Sequence, residues 1–323
     1  MPSGSNRSRS GSGGAIPTTD EARAHRWRII FAFASIYTIW GSTYLAIRYA
    51  VETIPPFLMA GTRFAISGII LYAWSRKRGS PSPPHRQWRN ALIAGSLLLV
   101  GGNGAVVWAE QYVPSGLTAL LVSVVPFWLV VFDWLRPGGR PPRPAVAAGL
   151  ILGLVGIFVL VNPTAVTGHS SVNLPGAGVL MLGSVSWALG SFYSRDADLP
   201  ASGFMRTGLE MLCGGAVLLA IGVFSGELSR LDVHRVTPAS AIGLVYLITF
   251  GALLGFTSYI WLLDKVSPAR AGTYAYVNPI VAVLLGWAVA GESLSSRTIV
   301  AAAIVIGAVA LITTSRGGEA TSS

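Results

Sequence analysis

Long apolar runs, separated by short polar and basic stretches, follow one another along almost the whole chain. A helix needs about 20 predominantly apolar residues to cross the ~30 Å hydrocarbon core of a bilayer. Eight of these runs carry no charge, and two are interrupted by charges near their starts. They occupy residues 29–47, 57–75, 90–109, 113–132, 145–161, 174–194, 204–226, 238–263, 271–291 and 298–315. The pattern therefore predicts an all-α integral membrane protein with ten transmembrane helices.

The continuity of the runs argues against a closed β-barrel, the other backbone arrangement that lipid allows. Backbone N–H and C=O groups in hydrocarbon must be satisfied internally, which only helices and closed barrels achieve. Barrel strands alternate polar and apolar residues over ~10 residues, whereas these runs are longer and apolar throughout. Glycines inside the runs, such as Gly149, Gly153 and Gly156, indicate close contacts between helices.

The composition also indicates a membrane protein. Hydrophobic residues make up 52% of the 323 residues, charged residues make up 11%, and the mean hydropathy is +0.60. Soluble domains carry about 25% charged residues, so this chain has too few charges for a water-facing surface of its size. The single cysteine, Cys213, lies in an apolar run. It is interpreted as a packing residue, and no disulfide can form within the chain.

The net charge of +10 is interpreted as topological. With the N-terminus in the cytoplasm, eighteen of the 23 Lys and Arg residues fall on the cytoplasmic side and four on the opposite side. Lys and Arg are retained in cytoplasmic loops, so this asymmetry predicts that both termini are cytoplasmic. The predicted location is a bacterial inner (cell) membrane, with the lipid bilayer as partner and no nucleic-acid partner.

The segment before the first run is rich in Ser, Gly and Arg and has no hydrophobic periodicity. Such a composition predicts disorder, and the run that follows is too long for the core of a signal peptide. The expected organisation is a disordered cytoplasmic tail over residues 1–27, a first five-helix repeat over 28–163, a second over 174–315 and a cytoplasmic tail over 316–323.

The two halves of the chain share an ordered set of residue matches. A shift of 147 residues relates Phe57, Gly61 and Gly68 to Phe204, Gly208 and Gly215. A shift of 149 relates Gly41, Ser42 and Tyr44 to Gly190, Ser191 and Tyr193. A shift of 153 relates Gly102, Trp108, Pro126 and Trp134 to Gly255, Trp261, Pro279 and Trp287. Five spans is an odd number, so the second repeat must be inverted relative to the first. Inverted repeats are typical of secondary transporters, which bind their substrate between the repeats.

Several motifs resemble the EamA family of the drug/metabolite transporter superfamily over roughly residues 29–314. The residues that carry the resemblance are Trp40-Gly41-Ser42-Thr43-Tyr44, Arg63-Phe64, Ala119-x-x-x-Ser123-x-x-Pro126, Pro279 and Gly291-Glu292. The resemblance implies ten helices in two inverted repeats around a central cavity, alternating access, and export or exchange of amino acids and related metabolites. The first repeat departs from the second at Gly138-Gly139-Arg140, so any role of Glu292 is confined to the second half.

Arg63 and Glu210 are the clearest charges inside the runs, and the repeat alignment makes them counterparts of opposite sign. A charge at membrane depth is costly unless it is paired or faces water, so it is a functional candidate. We expect both side chains to face the interior near a central cavity. There Arg63 would attract a carboxylate, and Glu210 an ammonium group or a proton. The alternatives are a structural charge network or side chains that snorkel to the interface.

The remaining candidates are polar, aromatic, glycine and proline residues inside the runs. Those expected on the substrate pathway are Tyr37, Trp40, Gly41, Tyr44, Asn103, Trp108, Ser123, Trp187, Tyr193, Trp261, Tyr274 and Asn278. Pro126 and Pro279 are expected to break their helices and to act in gating, because proline removes a backbone hydrogen bond. A packing face, interhelical hydrogen bonds and kinks that serve only shape stay open as alternatives.

No motif points to catalysis, to a cofactor or to ATP. The four histidines lie in the tail or in loops, and no Gly-x-x-x-x-Gly-Lys motif is present, so neither an intramembrane metal cluster nor a nucleotide site is predicted. The sequence predicts a secondary transporter of a small polar metabolite, driven by a coupling proton, a counter-substrate or the substrate's own concentration. A passive channel and a membrane-embedded enzyme are the alternatives. Substrate identity and oligomeric state are left open.

Overall fold

A computed structural model of the protein describes residues 19–139, 141–161, 173–266 and 271–314. Regular secondary structure in these ranges is helical, and they contain no β-strand. The long helices are α1 (Thr19–Val51), α2 (Pro56–Lys77), α3 (His85–Ala109), α4 (Ser115–Leu135), α5 (Pro144–Val161), α6 (Leu174–Asp196), α7 (Gly203–Phe224), α8 (Pro238–Lys265), α9 (Tyr274–Ala290) and α10 (Ser296–Thr314).

Seven helices in the described ranges are long and apolar enough to cross a membrane, namely α1 to α4 and α6 to α8. The apolar stretches found in α5, α9 and α10 are shorter. The all-α class is therefore confirmed. Ten crossings and the inverted orientation of the second half stay predictions.

α1 begins inside the segment that the sequence predicts to be a disordered tail. The helix starts at Thr19, inside the range 1–27 that was expected to be a tail, and the bounds of the tail stay a prediction. Residues 21–24, Glu-Ala-Arg-Ala, have high helix propensity and extend the helix that the apolar run forms. Residues 1–18 and 315–323 lie outside the described residues.

Glycines with positive φ follow two pairs of counterpart helices. Gly79 (φ 84°) follows α2 and Gly226 (φ 76°) follows α7, at a shift of 147 residues. Gly138 (φ 79°) and Gly291 (φ 65°) follow α4 and α9, at a shift of 153. Glycine is favoured in this left-handed conformation because it has no Cβ atom. The same backbone conformation thus recurs at corresponding points of the two halves.

α3 and α8 each contain a π-helical segment. The segments are Ser96–Asn103 in α3 and Leu247–Phe256 in α8, and they end 153 residues apart. π-helical turns are rare and occur frequently at functional sites. The counterpart helices therefore share an irregularity that hydrophobic periodicity does not predict.

Glycines line both sides of the contact between α2 and α7, which is the most extensive helix–helix contact in the described ranges. A Cβ atom on Gly61 would lie 3.0 Å from the carbonyl oxygen of Gly215, and one on Gly215 would lie 3.1 Å from that of Gly61. Gly68 and Gly208 make the same exchange at 3.0 and 3.3 Å. Gly208 is the counterpart of Gly61, and Gly215 is the counterpart of Gly68. Each glycine therefore contacts the counterpart of the other glycine on its own helix, a reciprocal arrangement like that at a twofold axis.

A second pair of contacts is also reciprocal between the two halves of the chain. Trp40 of α1 covers Gly255 of α8, where a Cβ atom would lie 2.4 Å from the indole nitrogen. Trp187 of α6 covers Gly102 of α3, where a Cβ atom would lie 2.7 Å from a ring carbon. α1 therefore packs against α8 as α6 packs against α3. In both contacts the tryptophan requires a residue without a side chain.

The helix contacts correct the alignment of corresponding residues in α1 and α6, the first helices of the two halves. The sequence pairs Gly41 with Gly190 at a shift of 149, yet Gly41 packs against Val281 of α9 and Gly190 packs against α3. A shift of 147 pairs Thr43 with Gly190. This register fits better, because Thr43 lies 3.1 Å from a Cβ atom built on Gly251 of α8, and α8 is the counterpart of α3. Glycine is too frequent in the runs to fix a register alone.

One added methyl group at the α2–α7 crossing should destabilise the protein. In Gly215→Ala the new Cβ atom would lie 2.8 Å from the backbone nitrogen of Ala65, and such overpacking costs about 1–3 kcal/mol. Gly178→Ala in α6 is the matched control, because a Cβ atom there meets nothing within 4 Å and alanine favours a helix. Thermal unfolding in detergent should show a lower Tm for Gly215→Ala alone. Equal Tm values for the two variants would contradict the close crossing.

Candidate functional site

A cavity lies among α1, α2, α3, α4, α6, α8 and α9. Its volume is about 70 Å³, which is room for a few water molecules and less than the roughly 300–1,000 Å³ typical of small-molecule sites. The polar and aromatic side chains on its wall belong to Trp40, Thr43, Tyr44, Arg63, Phe64, Asn103, Ser184, Trp187, Phe256, Tyr274 and Asn278.

Irregular backbone shapes three sides of the cavity. The π-helical segment of α3 supplies Asn103, and that of α8 supplies Phe256. α4 is interrupted by a turn at Ser123 and the next residue, and Pro126 lies in the first turn of the helix that follows. Non-helical backbone at membrane depth is tolerated where it is buried in protein or lines a cavity. These irregularities therefore fit a functional wall.

Arg63 is the cationic side chain on the cavity wall, and it is only 3% exposed. Its guanidinium group donates a hydrogen bond to Oδ1 of Asn103 and lies 4.2 Å from the centre of the Phe64 ring. Its Nε atom has no hydrogen-bond acceptor among the described residues. A buried guanidinium group that keeps unused donors can bind a carboxylate through two parallel hydrogen bonds.

Four aromatic rings pack together at the cavity. The ring of Trp40 lies 5.6 Å from Trp187, 5.2 Å from Tyr259 and 5.0 Å from Tyr274, measured between centroids. Tyr259 also lies 5.5 Å from Trp187 and 5.7 Å from Tyr274. Such edge-to-face and tilted pairs stabilise each other beyond their burial. Both halves of the chain contribute to this aromatic cluster.

Hydrogen bonds fix the orientation of the rings. The hydroxyl group of Tyr259 lies 2.7 Å from Ser191 Oγ and accepts a hydrogen bond from Trp187 Nε1 at 3.2 Å. Trp40 Nε1 donates to the carbonyl oxygen of Gly251, in the π-helical segment of α8, at 3.1 Å. The polar atoms of Trp40, Trp187 and Tyr259 are thus bonded to protein, and the apolar faces of these rings remain to contact a ligand.

Asn278 joins α9 to α1. In the amide orientation that satisfies its neighbours, its nitrogen donates to the carbonyl oxygens of Ile36 (3.2 Å), Tyr37 (3.0 Å) and Tyr274 (3.1 Å). The structure therefore gives Asn278 the role of interhelical hydrogen bonding as well as a place on the cavity wall. α9 continues through Pro279, so the helix break expected at this proline is not present.

The structure brings half of the predicted pathway residues to the cavity and places the others elsewhere. Those that line it are Trp40, Tyr44, Arg63, Asn103, Trp187, Tyr274 and Asn278. Gly41, as described above, is a packing residue against α9. Ser123 is buried at the interruption of α4, where its Oγ atom donates to the carbonyl oxygen of Leu120 at 2.6 Å.

Four further candidates lie outside the cavity wall, in contacts of their own. The hydroxyl group of Tyr37 lies 2.7 Å from Oγ1 of Thr273, and Tyr193 donates to Asn90 Oδ1 at 3.1 Å. Trp108 and Trp261 are counterparts in the sequence and both lie outside the wall. Their rings pack against Tyr112, at 5.2 Å, and against His25, at 6.3 Å.

Glu210 is fully buried in α7 but does not line the cavity. One carboxylate oxygen accepts a hydrogen bond from Ser194 Oγ at 2.5 Å, and the other has no donor among the described residues. Nearby, Arg206 forms an ion pair with Asp264 at 2.6 Å. The counterparts Arg63 and Glu210 are thus both buried, yet they occupy different environments.

Glu292, which follows α9, connects three elements. It forms an ion pair with Arg48 of α1 and accepts hydrogen bonds from the backbone nitrogens of Ser115 (2.9 Å) and Gly116 (3.1 Å) and from Ser115 Oγ (2.7 Å). A carboxylate at a helix N-terminus satisfies free N–H groups and opposes the helix dipole. Glu292, the glutamate of the Gly-Glu motif, therefore links the N-terminus of α4 to α1 and to the end of α9.

Sequence reasoning missed several residues of the wall. Thr43 and Phe64 stand inside motifs that the sequence already singles out, so proximity to Trp40 and Arg63 could have found them. Ser184 and Phe256 carry no signal of this kind. Their place follows from helix packing, which spacing along the chain does not define.

An all-α fold with seven helices long and apolar enough to span a membrane, in the part of the chain that the structure describes, defines a polytopic membrane protein with a cavity between its helices. The profile of the EamA-like transporter family matches residues 26–162 and again residues 174–314. The chain therefore belongs to the EamA-like transporter family.

Individual relatives agree with this membership. The chain is 42% identical over 283 residues to the inner membrane transporter YedA of Escherichia coli K12, which covers 87% of this chain and 89% of the relative. It is 26% identical over 291 residues to the transporter YvbV of Bacillus subtilis, covering 90% and 92%. A chain of a solved crystal structure shares the fold, with a TM-score of 0.65 and 21% identity over 89% of this chain and 98% of that one.

Removal of the Asn278 side chain should loosen α9 from α1. Interhelical hydrogen bonds in membranes contribute about 0.6–1.7 kcal/mol each, so Asn278→Ala should lower the free energy of unfolding by roughly that amount or more. Gln111→Ala is a suitable control, because Gln111 is exposed and its side chain bonds within the described residues to the carbonyl oxygen of Trp108, three residues away. Unfolding in a mixed detergent series measures both variants. A stability of Asn278→Ala equal to that of the control would exclude this role.

Proposed function

We propose that this protein is a secondary transporter that moves a small polar metabolite bearing a carboxylate, such as an amino acid, through the central cavity by alternating access. The observation that carries the proposal is Arg63, a buried cation on the wall of a cavity, whose Nε donor has no acceptor among the described residues. Asn103 holds one side of its guanidinium group. A substrate carboxylate would take the free side, and the aromatic cluster would contact the carbon skeleton.

Two inverted repeats of five helices would carry out the alternation. The reciprocal contacts support this arrangement, because the exchange between α2 and α7 relates each glycine to the counterpart of its partner. The matched positive-φ glycines and the matched π-helical segments support it as well. Rocking of one repeat against the other would open the cavity to each side in turn.

We place the protein in a bacterial inner membrane with both termini in the cytoplasm. YedA, the relative at 42% identity, is an inner membrane transporter by name. The surplus of Lys and Arg in the loops assigned to the cytoplasm gives the orientation. In this orientation α2 begins on the outer side, and Arg63 lies two turns inside that end.

Neutralising Arg63 should slow transport strongly while sparing the fold. Purified protein is reconstituted into liposomes loaded with L-amino acids, and entry of a radiolabelled L-amino-acid mixture is measured. Arg63→Gln should slow entry by about 10- to 150-fold, because a hydrogen bond to a charged group is worth about 1.5–3 kcal/mol. Arg78→Gln is the matched control, since Arg78 ends the same helix, is exposed and stacks only on Trp74.

The same assay separates the proposal from a channel. A carrier that alternates exchanges label faster when unlabelled substrate is present on the opposite side, whereas a channel shows no such stimulation. Wild-type rates that do not respond to internal amino acids would contradict alternating access. Equal rates in Arg63→Gln and Arg78→Gln would contradict the role of Arg63.

A further inference from the structure

We propose that Glu110 is a proton-binding site whose occupancy is coupled to binding of a carboxylate at Arg63; the coupling rests on the proposed transport function. Glu110 caps the C-terminus of α3 and is 6% exposed. Neither of its carboxylate oxygens has a hydrogen-bond donor among the described residues. An ionised carboxylate buried in this way is strongly destabilising, and binding a proton removes the charge.

Two other carboxylates at this end of the bundle, Glu292 and Glu227, do have hydrogen-bond donors. Glu292 accepts hydrogen bonds from Ser115 and Gly116 and pairs with Arg48, as described above. Glu227, 2% exposed, accepts from the backbone nitrogens of residues 57 and 58 at 3.3 and 2.9 Å. The carboxylate oxygens of both residues therefore have donors in the protein. Glu110 has no such partner, so it is the carboxyl group here that is suited to gain and lose a proton.

Glu110 lies on the face of α3 that lines the cavity. Asn103 and Val106 both belong to the wall, and Glu110 follows them by seven and four residues, which places the three side chains on one helical face. The carboxyl group thus stands one turn beyond the wall, at the end of the bundle where α1 ends and α2 begins.

Charged and titratable groups from three elements surround Glu110. Arg63 of α2 and Arg48 of α1 attract its anion, Glu292 after α9 repels it, and Tyr44 of α1 interacts with it as well. Arg48 is already paired with Glu292. Arg63 has no carboxylate within ion-pair distance among the described residues, so it is the cation left to interact with a Glu110 anion.

This arrangement links the proton to the substrate. When Glu110 takes a proton from water, an O–H bond forms and the neutral carboxyl group leaves the charge of Arg63 free for a substrate carboxylate. When the proton returns to water, the Glu110 anion competes for Arg63 and weakens substrate binding. By linkage, a bound carboxylate strengthens proton binding to the same extent.

Infrared difference spectroscopy tests the proton site without any substrate. Protein in nanodiscs is compared between about pH 6 and about pH 9, where exposed carboxyl groups with ordinary pKa values near 4 are ionised in both states. All variants carry Glu210→Gln, because Glu210 is also buried with one carboxylate oxygen that has no donor among the described residues. In this background the protein should lose a C=O band of a protonated carboxyl group on alkalinisation, and addition of Glu110→Gln should abolish that change. Glu110→Asp should retain a shifted band. Glu52→Gln is the control, as Glu52 is exposed at the same end.

A band change that persists in Glu110→Gln would overturn the proton site.

The coupling between proton and substrate is tested by measuring amino-acid exchange in liposomes across the same pH range. Wild-type exchange should fall as the pH rises, whereas Glu110→Gln, which mimics the protonated form, should exchange at a rate independent of pH. A wild-type pH profile in Glu110→Gln would overturn the coupling. No exchange in the wild type would overturn the proposed transport function, while the infrared result would still decide the proton site.

Discussion

The close approach of the α2 and α7 backbones, at a stripe of glycines, is the contact on which the rest of the structure depends. Lipid offers no hydrophobic drive for association of helices, so packing at short distance must supply it. Gly61 and Gly68 turn one face of α2 to α7. The position of Arg63, two residues from Gly61, is thereby fixed towards Asn103 and the cavity. A shift of this crossing would move the buried charge with it.

Departures from regular helix then create the space that straight helices would fill. The π-helical segments of α3 and α8 and the interrupted α4 border the cavity, while Glu292 holds the N-terminus of α4 in place. The buried polar groups divide into two kinds. Some, such as Asn278 and Glu292, are bonded to protein and hold helices together. Others, such as Arg63 and Glu110, keep unused capacity, and these carry the proposed functions.

Hydropathy predicted the helices well, because a spanning segment must be apolar over its whole length. Motifs in α1 and α2 led to Trp40 and Arg63, which do line the cavity. Trp261 and Tyr193 lie outside the wall of this cavity, because spacing defines a helical face but not the neighbour that this face meets. The π-helical segments had no signal in the hydrophobic pattern, and the register of Gly41 failed because glycines recur at many shifts.

The opposed orientation of the two halves is the central claim, and labelling of single cysteines tests it most directly. Ser82, after α2, and Ser229, after α7, are exposed counterparts at a shift of 147 residues. Each is changed to cysteine in a Cys213→Ala background, and cells are treated with a membrane-impermeant maleimide. The account predicts that Ser229→Cys is labelled in intact cells and Ser82→Cys only after permeabilisation. Labelling of both positions from the same side would contradict it.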